Sequence, residues 1–472
     1  MQQLSNLDAA FLYLESDNAP MHIGCILTFN HPAYSRMTFD RFKAHIAQQL
    51  PGAPIFRRRL SRLPWDIDRP YWIEDADFNI DQHLKSTQVS EAEFPSLVDR
   101  FFEERLNTRR ALWSMLYVED TQAHGDQFRV LIKFHHAAID GVSGEKILTA
   151  IMSPQAQAGA PREDHWQPHP PSATLMLANK VRTWWRTPKE LSALSRQLGK
   201  SIKSSRVLRS QVGAEQPAFF SAPATPYNQS IETGRHLVSA ELSLKKIKEI
   251  KNRFEGCTVN DVVLAICAGA LREHLLAEGQ LPGTPIIAMS PVSKRQGDEA
   301  ADGNLISAML VSLATDIASP RERLLAIQKN TQQAKRFNRE VQMEQVIRRV
   351  PSLPASLALK TYTRFRVAKA VNPVFNLIIT NVPGSPTPLY LDGAPLIGLE
   401  GMAPIVDNMG LTLVVTSYLD HLTISITTFS RRKAEVQKLV AAMAPSLDEL
   451  YALKEPMYCP YPAPSRGAHA MA

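Results

Sequence analysis

Two adjacent histidines, followed closely by an aspartate and a glycine, are the residues of this sequence best suited to do chemistry. They lie in the string HHAAIDG at positions 135–141, directly after an apolar run that is typical of a buried strand. A histidine can accept and return a proton near neutral pH. Asp140 adds a charge that can organise a site, and Gly141 permits a backbone kink that exposes an N–H. Acyl transfer to a hydroxyl needs these groups, and it needs neither a metal ion nor a nucleophilic serine.

Alternation along the preceding strand distinguishes the two histidines. If the strand continues through them, His136 follows an apolar face and His135 follows a mixed face that also carries Arg129 and Lys133. The pattern therefore predicts that His136 points into the protein. Burial favours the neutral imidazole, the form that can accept a proton, so we expect His136 to be the base. A plain core histidine at the end of a strand is the alternative.

No metal site is indicated by these histidines or by the cysteines. Neighbouring strand residues point to opposite faces, and the histidine pair lacks the i, i+4 spacing of a helical zinc site. The four cysteines are widely separated and show no ligand spacing, which fits a reducing cytoplasm. They are Cys25, Cys257, Cys267 and Cys459. We expect no bound metal.

Length and composition favour two α/β domains. The chain has 472 residues, more than one ordinary core accommodates, and 44% of them are hydrophobic. The longest apolar runs are too short to span a bilayer, and the first residues lack the basic and apolar regions of a signal peptide. We predict an N-terminal domain at 1–155, a basic helical linker at 156–229, a C-terminal domain at 230–457 and a flexible tail at 458–472.

Periodicity predicts the elements that must position the histidines. Strands are expected at 23–29, 128–136, 235–242, 286–289, 305–313, 377–380, 411–417 and 422–429, the last two forming a hairpin. Helices are expected at 38–50, 91–106, 243–254 and 259–278. Thr258 and Asp261 resemble a capping box at the start of the last helix.

The excess positive charge of the chain is confined to the linker. Nine lysines and arginines face a single acid, Glu190, between residues 171 and 211, although the whole chain carries only +7. Helical spacing at 175–208 is consistent with a connecting helix pair that has a solvated basic face. The adjacent Trp184 and Trp185 favour a second interpretation, an element that binds anionic lipid. Nucleic-acid binding is not expected, because no recognition fold accompanies the charge.

Several further motifs accompany the histidine string in a characteristic order. They are LDAAF at 7–11, NDVVLA at 260–265, PVSKR at 291–295, GN at 303–304 and NVPG at 381–384. Together they make the chain resemble the CoA-dependent acyltransferase superfamily of chloramphenicol acetyltransferase and peptide-synthetase condensation domains. More specifically, it resembles the bacterial wax ester synthase/diacylglycerol acyltransferase family. One departure is Ala111, which stands where the family has the proline of Pro-Leu-Trp.

The resemblance implies two chloramphenicol-acetyltransferase-like domains with mixed sheets, joined by a helical linker, with His136 in a channel between them. His136 would act as general base while a fatty acyl group passes directly from acyl-CoA to a fatty alcohol or diacylglycerol. Acyl-CoA is then a substrate, and no cofactor is expected. The enzyme would work in the cytoplasm, held peripherally at the inner face of the membrane or at a lipid droplet.

The resemblance also suggests roles for residues around the base. Asp140 would pair with Arg295 and fix the loop, and a backbone N–H near Gly141 would stabilise the oxyanion. Asn260 and Asp261 are interpreted mainly as helix-start residues, with a channel-wall role as the alternative. Rival functions are condensation or small-alcohol acetylation on the same fold, and lipid binding without catalysis.

Overall fold

The computed structural model describes residues 2–32, 35–63, 68–121, 126–139, 144–156, 221–293, 306–341 and 373–453, with the single residues 174, 176, 181, 196 and 217. Three predicted site residues, Asp140, Gly141 and Arg295, lie outside the described residues. The paired tryptophans and most of the predicted linker, together with the predicted tail, also lie outside them.

The described chain is a mixed α/β fold. Its strands are β1 (Gln2–Gln3), β2 (His22–Asn30), β3 (Arg58–Ser61), β4 (Tyr71–Glu74), β5 (Leu84–Val89), β6 (Trp113–Asp120), β7 (Gln127–His135), β8 (Arg235–Ser243), β9 (Ile287–Ser293), β10 (Ile306–Ser312), β11 (Leu377–Pro383), β12 (Tyr390–Leu391), β13 (Ala394–Met402), β14 (Thr412–Tyr418) and β15 (His421–Phe429). Its α-helices are α1 (Asn6–Leu14), α2 (Phe39–Gln49), α3 (Phe94–Glu103), α4 (Gly144–Ile151), α5 (Leu244–Arg253), α6 (Val259–Ala277), α7 (Pro320–Val341), α8 (Lys433–Ala441) and α9 (Met443–Tyr451).

A six-stranded sheet, here called the first sheet, carries the histidine string. Its strand order is β12-β13-β2-β7-β6-β5, and only the β5–β6 pair is parallel. β2 and β7 lie at its centre, where His22 is opposite His135. One face packs Phe29 and Phe128 into a core with α2, and the other packs Leu131 against α3. The central position of β7 therefore fixes the end of the strand from which the histidines emerge.

A second six-stranded sheet, in the order β10-β9-β11-β14-β15-β8, forms the C-terminal half. β11 runs parallel to β9 and β14, and β14 and β15 form the predicted hairpin. α6 is buried against this sheet almost along its whole length. Its capping box is present, since Thr258 and Asp261 exchange side-chain and backbone hydrogen bonds. The expected strands of this half are confirmed, with shifts of a few residues at their ends.

β12 and β13 join the first sheet although they follow the strands of the second in sequence. β13 pairs with β2, and Ser153 forms a bridge with Tyr390 of β12. A Cβ on Gly401 would lie 2.4 Å from a methyl carbon of Val414, so β13 needs a glycine where it passes β14. The predicted boundaries place these residues in the C-terminal domain, and their strands nevertheless pair with the first sheet. Alternation alone does not indicate which sheet a strand joins.

The two halves also meet through α3 and β8. His236 Nδ1 of β8 lies 2.6 Å from Asp99 Oδ2 of α3, and Gly234 N–H donates to Glu103 Oε1 at 2.6 Å.

A third, small sheet in the order β1-β4-β3 lies in the N-terminal half. Within the described ranges, no helix is both long and apolar enough to cross a membrane.

Candidate active site

The strand that carries the two histidines ends between them. β7 stops at His135, and residues His136–Ala138 form a single 3-10 turn. His136 N–H donates to the carbonyl of Met21 at 2.7 Å, so the turn is tied to the segment before β2. The predicted alternation through both histidines is therefore wrong. His135 is the fully buried member of the pair, and His136 is half-buried.

His136 lies against helix α1. Its ring stacks on Phe11 with the ring centroids 3.8 Å apart and the planes 16° from parallel. Its buried Nδ1 atom has no hydrogen bond to another residue among those described. The pKa of His136 is lowered to about 4, chiefly by burial; contact with its own backbone carbonyl opposes this shift, and the charge of His135 adds to it. The imidazole is therefore neutral at physiological pH and able to accept a proton.

His135 is held by contacts on both ring nitrogens. Its Nδ1 accepts a hydrogen bond from Ala137 N–H at 3.1 Å, which caps the turn that begins at His136. Its Nε2 lies 3.5 Å from Glu15 Oε1. Glu15 is in turn paired with Arg105 at 2.8 Å. The side chain of His135 thus supports the backbone of the turn and does not face open solvent.

Two further buried bases flank His135 on the same side of the sheet. His22 bonds the Phe102 carbonyl through Nδ1 and accepts from Leu106 N–H through Nε2, and burial lowers its pKa to about 3. Lys133 donates to the carbonyls at the end of α3, and burial lowers its pKa to about 8. The face of β7 that carries Lys133 and His135 was expected to be mixed, and it is instead buried under α3. The polar groups His22, Lys133 and His135 on this face each contact a specific partner.

The Ala-Leu-Trp segment, where the family motif would begin with proline, also supports the histidine strand. The carbonyl of Leu112 accepts a hydrogen bond from His135 N–H at 3.0 Å. Trp113 is fully buried and donates through Nε1 to the Phe56 carbonyl at 2.8 Å. Loss of the proline leaves both contacts in place. The segment therefore keeps its structural function with alanine at position 111.

The structure describes two other predicted site residues, Asn260 and Asp261, and both lie at the start of α6. Asp261 accepts from Thr258 and from Thr331 Oγ1 at 2.6 Å, joining the start of α6 to α7. Asn260 is half-buried at the second position of α6. The hydrogen bonds of Asp261 fit the helix-start interpretation that the sequence favoured. Its printed partners do not include His135 or His136.

Sequence reasoning missed four residues around the turn, namely Phe11, Glu15, His22 and Lys133. Phe11 closes the LDAAF motif, which could have indicated that α1 belongs to the site. Lys133 shares strand parity with His135, and this parity does predict their common face. Glu15 and His22 carry no comparable signal, because Glu15 reaches His135 from the end of α1 and His22 reaches it through the pairing of β2 with β7. Among the described residues, no group of three potential ligands could hold a metal ion.

Comparison with family models and known proteins assigns the chain to a family. The model described as the wax ester synthase/diacylglycerol acyltransferase catalytic domain matches residues 4–263, and the model of the C-terminal domain of the same family matches residues 302–451. A candidate diacylglycerol O-acyltransferase of Mycobacterium tuberculosis strain H37Rv is 31% identical over 467 residues, covering 95% of this chain and 99% of the relative. The O-acyltransferase WSD of Acinetobacter baylyi is 27% identical, over 93% of this chain and 95% of the relative.

Solved structures give the same result. The wax ester synthase/diacylglycerol acyltransferase of Marinobacter aquaeolei VT8 superposes with a TM-score of 0.65 and 26% identity, covering 95% of this chain and 98% of the other. A trichothecene 15-O-acetyltransferase of Fusarium sporotrichioides has a TM-score of 0.59 at 11% identity, over 95% of each chain, and is similar in fold alone. The resemblance inferred from the motifs is confirmed. The chain belongs to the wax ester synthase/diacylglycerol acyltransferase family.

Proposed function

We propose that the protein transfers a fatty acyl group from acyl-CoA to the hydroxyl of a long-chain alcohol or a diacylglycerol, with His136 as general base. Family membership makes the chain an O-acyltransferase. The observation that carries the assignment of the base is the neutral, half-buried imidazole of His136 held against Phe11. An imidazole that is uncharged before substrate binds can take a proton in the transition state.

The reaction balances with one base and no acyl-enzyme. The acceptor hydroxyl oxygen attacks the thioester carbonyl while its proton moves to His136 Nε2, the ring nitrogen opposite the buried Nδ1. The tetrahedral intermediate then collapses, the C–S bond breaks, and His136 returns the proton to the departing sulfur. The products are the ester and free CoA thiol. A backbone N–H near Gly141 would stabilise the oxyanion, and a pair between Asp140 and Arg295 would hold that loop.

The test is CoA release from palmitoyl-CoA with hexadecanol or diacylglycerol as acceptor. Replacing a general base costs about 10²–10⁴ in rate, so we expect kcat of His136→Ala to fall by about 1,000-fold. His421→Ala is the matched control, because this imidazole is 57% exposed on β15 and should be dispensable. Retention of more than a tenth of the wild-type rate by His136→Ala would contradict the mechanism. Turnover only with acetyl-CoA and a small alcohol would support the rival acetylation chemistry.

We also propose that the basic segment holds the enzyme at an anionic membrane or lipid-droplet surface. The support is its sequence: nine cations, one acid and the adjacent Trp184 and Trp185 within residues 171–211. Apolar substrates dissolve at such a surface, so binding there would bring the enzyme to them. Co-sedimentation with vesicles containing anionic lipid should weaken when Trp184, Trp185 and Arg186 are replaced together. The control replaces Lys245 and Lys248 of α5, and equal binding by both variants would refute the proposal.

A further inference from the structure

Glu15 is a buried acid directly behind the catalytic turn. It is the C-cap residue directly after α1, the helix whose Phe11 stacks on His136. Its side chain is only 4% exposed. Burial raises its pKa, but its contacts with His135 and the paired Arg105 cation outweigh burial and lower the pKa to about 2, so it is ionised at any working pH. A buried carboxylate is costly unless it is paired, and the identity of its partners therefore indicates its role.

Two chains of contacts lead from Glu15 to His136. In the first, Glu15 Oε1 lies 3.5 Å from His135 Nε2, and His135 Nδ1 accepts from Ala137 N–H within the turn. In the second, the N–H of Met21 points to the same Oε1 at 3.4 Å, and the carbonyl of Met21 accepts from His136 N–H at 2.7 Å. Glu15 Oε1 therefore contacts both His135, which caps the turn, and Met21, whose carbonyl binds His136 N–H.

The first chain also fixes the tautomer of His135. Because Nδ1 accepts a hydrogen bond, the neutral ring must carry its proton on Nε2. Apart from Glu15, that buried nitrogen has no partner among the described residues. The carboxylate thus favours the one tautomer that lets His135 cap the turn. Such a contact often tightens when substrate binds, so a length of 3.5 Å without substrate is compatible with it.

We propose that Glu15 is a positioning residue for the acyl transfer, acting through His135 to hold the His136 turn in the geometry that accepts the alcohol proton. This rests on the proposed function of His136. The alternative is a purely structural ion pair between Glu15 and Arg105. That pair contacts Asp17 on its outer side, where Arg105 Nη1 lies 2.8 Å from Asp17 Oδ1.

The experiment separates the two roles by comparing kcat with KM. Glu15→Gln keeps the shape and an acceptor oxygen but loses the charge, and we expect kcat to fall about 10-fold with KM for palmitoyl-CoA unchanged. Glu15→Ala loses both, and we expect about a 100-fold fall in kcat. Asp17→Asn is the matched control: it also removes the charge of a partner of Arg105, but the Asp17 side chain is 91% exposed. We expect its kcat to be that of the wild type.

A second measurement does not depend on turnover. Nitrogen-15 NMR of histidine-labelled protein, with His135 assigned through His135→Asn, reports which ring nitrogen carries the proton. The Nε2–H tautomer is expected in wild type and in Asp17→Asn, and a mixture of tautomers in Glu15→Gln. If Glu15→Gln kept both the wild-type kcat and the single tautomer, the positioning role would be excluded. If the wild type released no CoA, the proposed function would fail, while the NMR comparison would still test the contact.

Discussion

Both large sheets have six strands, but they bury different types of polar side chain on their inner strands. In the first sheet, the central strands β2 and β7 bury His22, Lys133 and His135. In the second, β14 and β15 bury only hydroxyls among their strongly polar groups, for example Thr412, Ser425 and Thr428. Both sheets therefore place polar atoms in a dry interior. Only the first buries imidazole and ammonium groups on its two central strands; in the second, the buried Arg235 and His236 lie on the edge strand β8.

The difference has a consequence for how the stability of each sheet depends on pH. A buried hydroxyl is satisfied by one carbonyl, as Thr428 Oγ1 is by Gly410 at 3.0 Å, and it is insensitive to pH. A buried base or cation requires several partners, and its burial free energy changes with pH. The first sheet should therefore be the more fragile of the two. Three measurements test this contrast between the sheets.

Removal of Lys133 should have the largest effect. The side chain is 2% exposed and donates to the carbonyls of Phe101 and Glu104. Lys133→Ala leaves a cavity and two unpaired carbonyls, so we expect a loss of about 3 kcal/mol in the free energy of unfolding. Lys133→Met fills the space without burying a charge and should lose less than half as much. Urea denaturation measures both, and equal stability of wild type and the alanine variant would contradict the comparison.

Replacement of His22 should remove part of the sensitivity of the protein to acid. Burial lowers the folded-state pKa of this ring from 6.5 to about 3, so between these values the unfolded chain binds more protons. The free energy of unfolding therefore falls as pH falls, and a single such group contributes about 2 kcal/mol between about pH 7.5 and about pH 5. Between these two pH values, we expect the free energy of unfolding of His22→Gln to fall by about 2 kcal/mol less than that of wild type. Urea denaturation at both pH values measures this difference. Equal losses in the two proteins would show that His22 is not the group responsible.

The smallest effects are expected in the second sheet, where adjacent threonines form a matched pair. Thr428 Oγ1 donates to Gly410, whereas Thr427 Oγ1 is buried without a hydrogen bond among the described residues. Thr428→Val should cost about 1 kcal/mol, and Thr427→Val should be neutral or stabilising. Neither change should alter the pH dependence of unfolding. A pH-dependent loss in either variant would remove the contrast between the sheets.

The sequence predicts most strands of the central layers because their apolar residues follow a period of two, as in 23–29 and 411–417. It predicts the start of α6 because a capping box is local, involving only Thr258 and Asp261. The sheet that β13 joins was not predictable in this way. Its place beside β2 depends on which edge is free after folding, a long-range property that no window of sequence contains.

For the site, the string at 135–141 predicts His136 as the base, and this stays a prediction; the alternation that placed His136 on the buried face is wrong, since His135 is the fully buried ring. The parity rule holds only while the strand continues, and β7 ends at His135 because the His135 side chain caps the next turn. Lys133 and His135 do share a face, as the alternation predicts. That face is interior because α3 covers it, and the charge of Lys133 is satisfied by backbone carbonyls of that helix.

The placement of β13 in the first sheet also dictates an order of events during synthesis. β2 and β7 can pair early, but the outer edge of β2 stays unpaired until residue 402 has left the ribosome. At about 5–20 residues per second, this edge waits roughly 15–50 s. An open strand edge is a template for aggregation, so the nascent N-terminal half is exposed to this hazard during that interval. The half that carries His136 cannot complete its sheet before nearly the whole chain has been made.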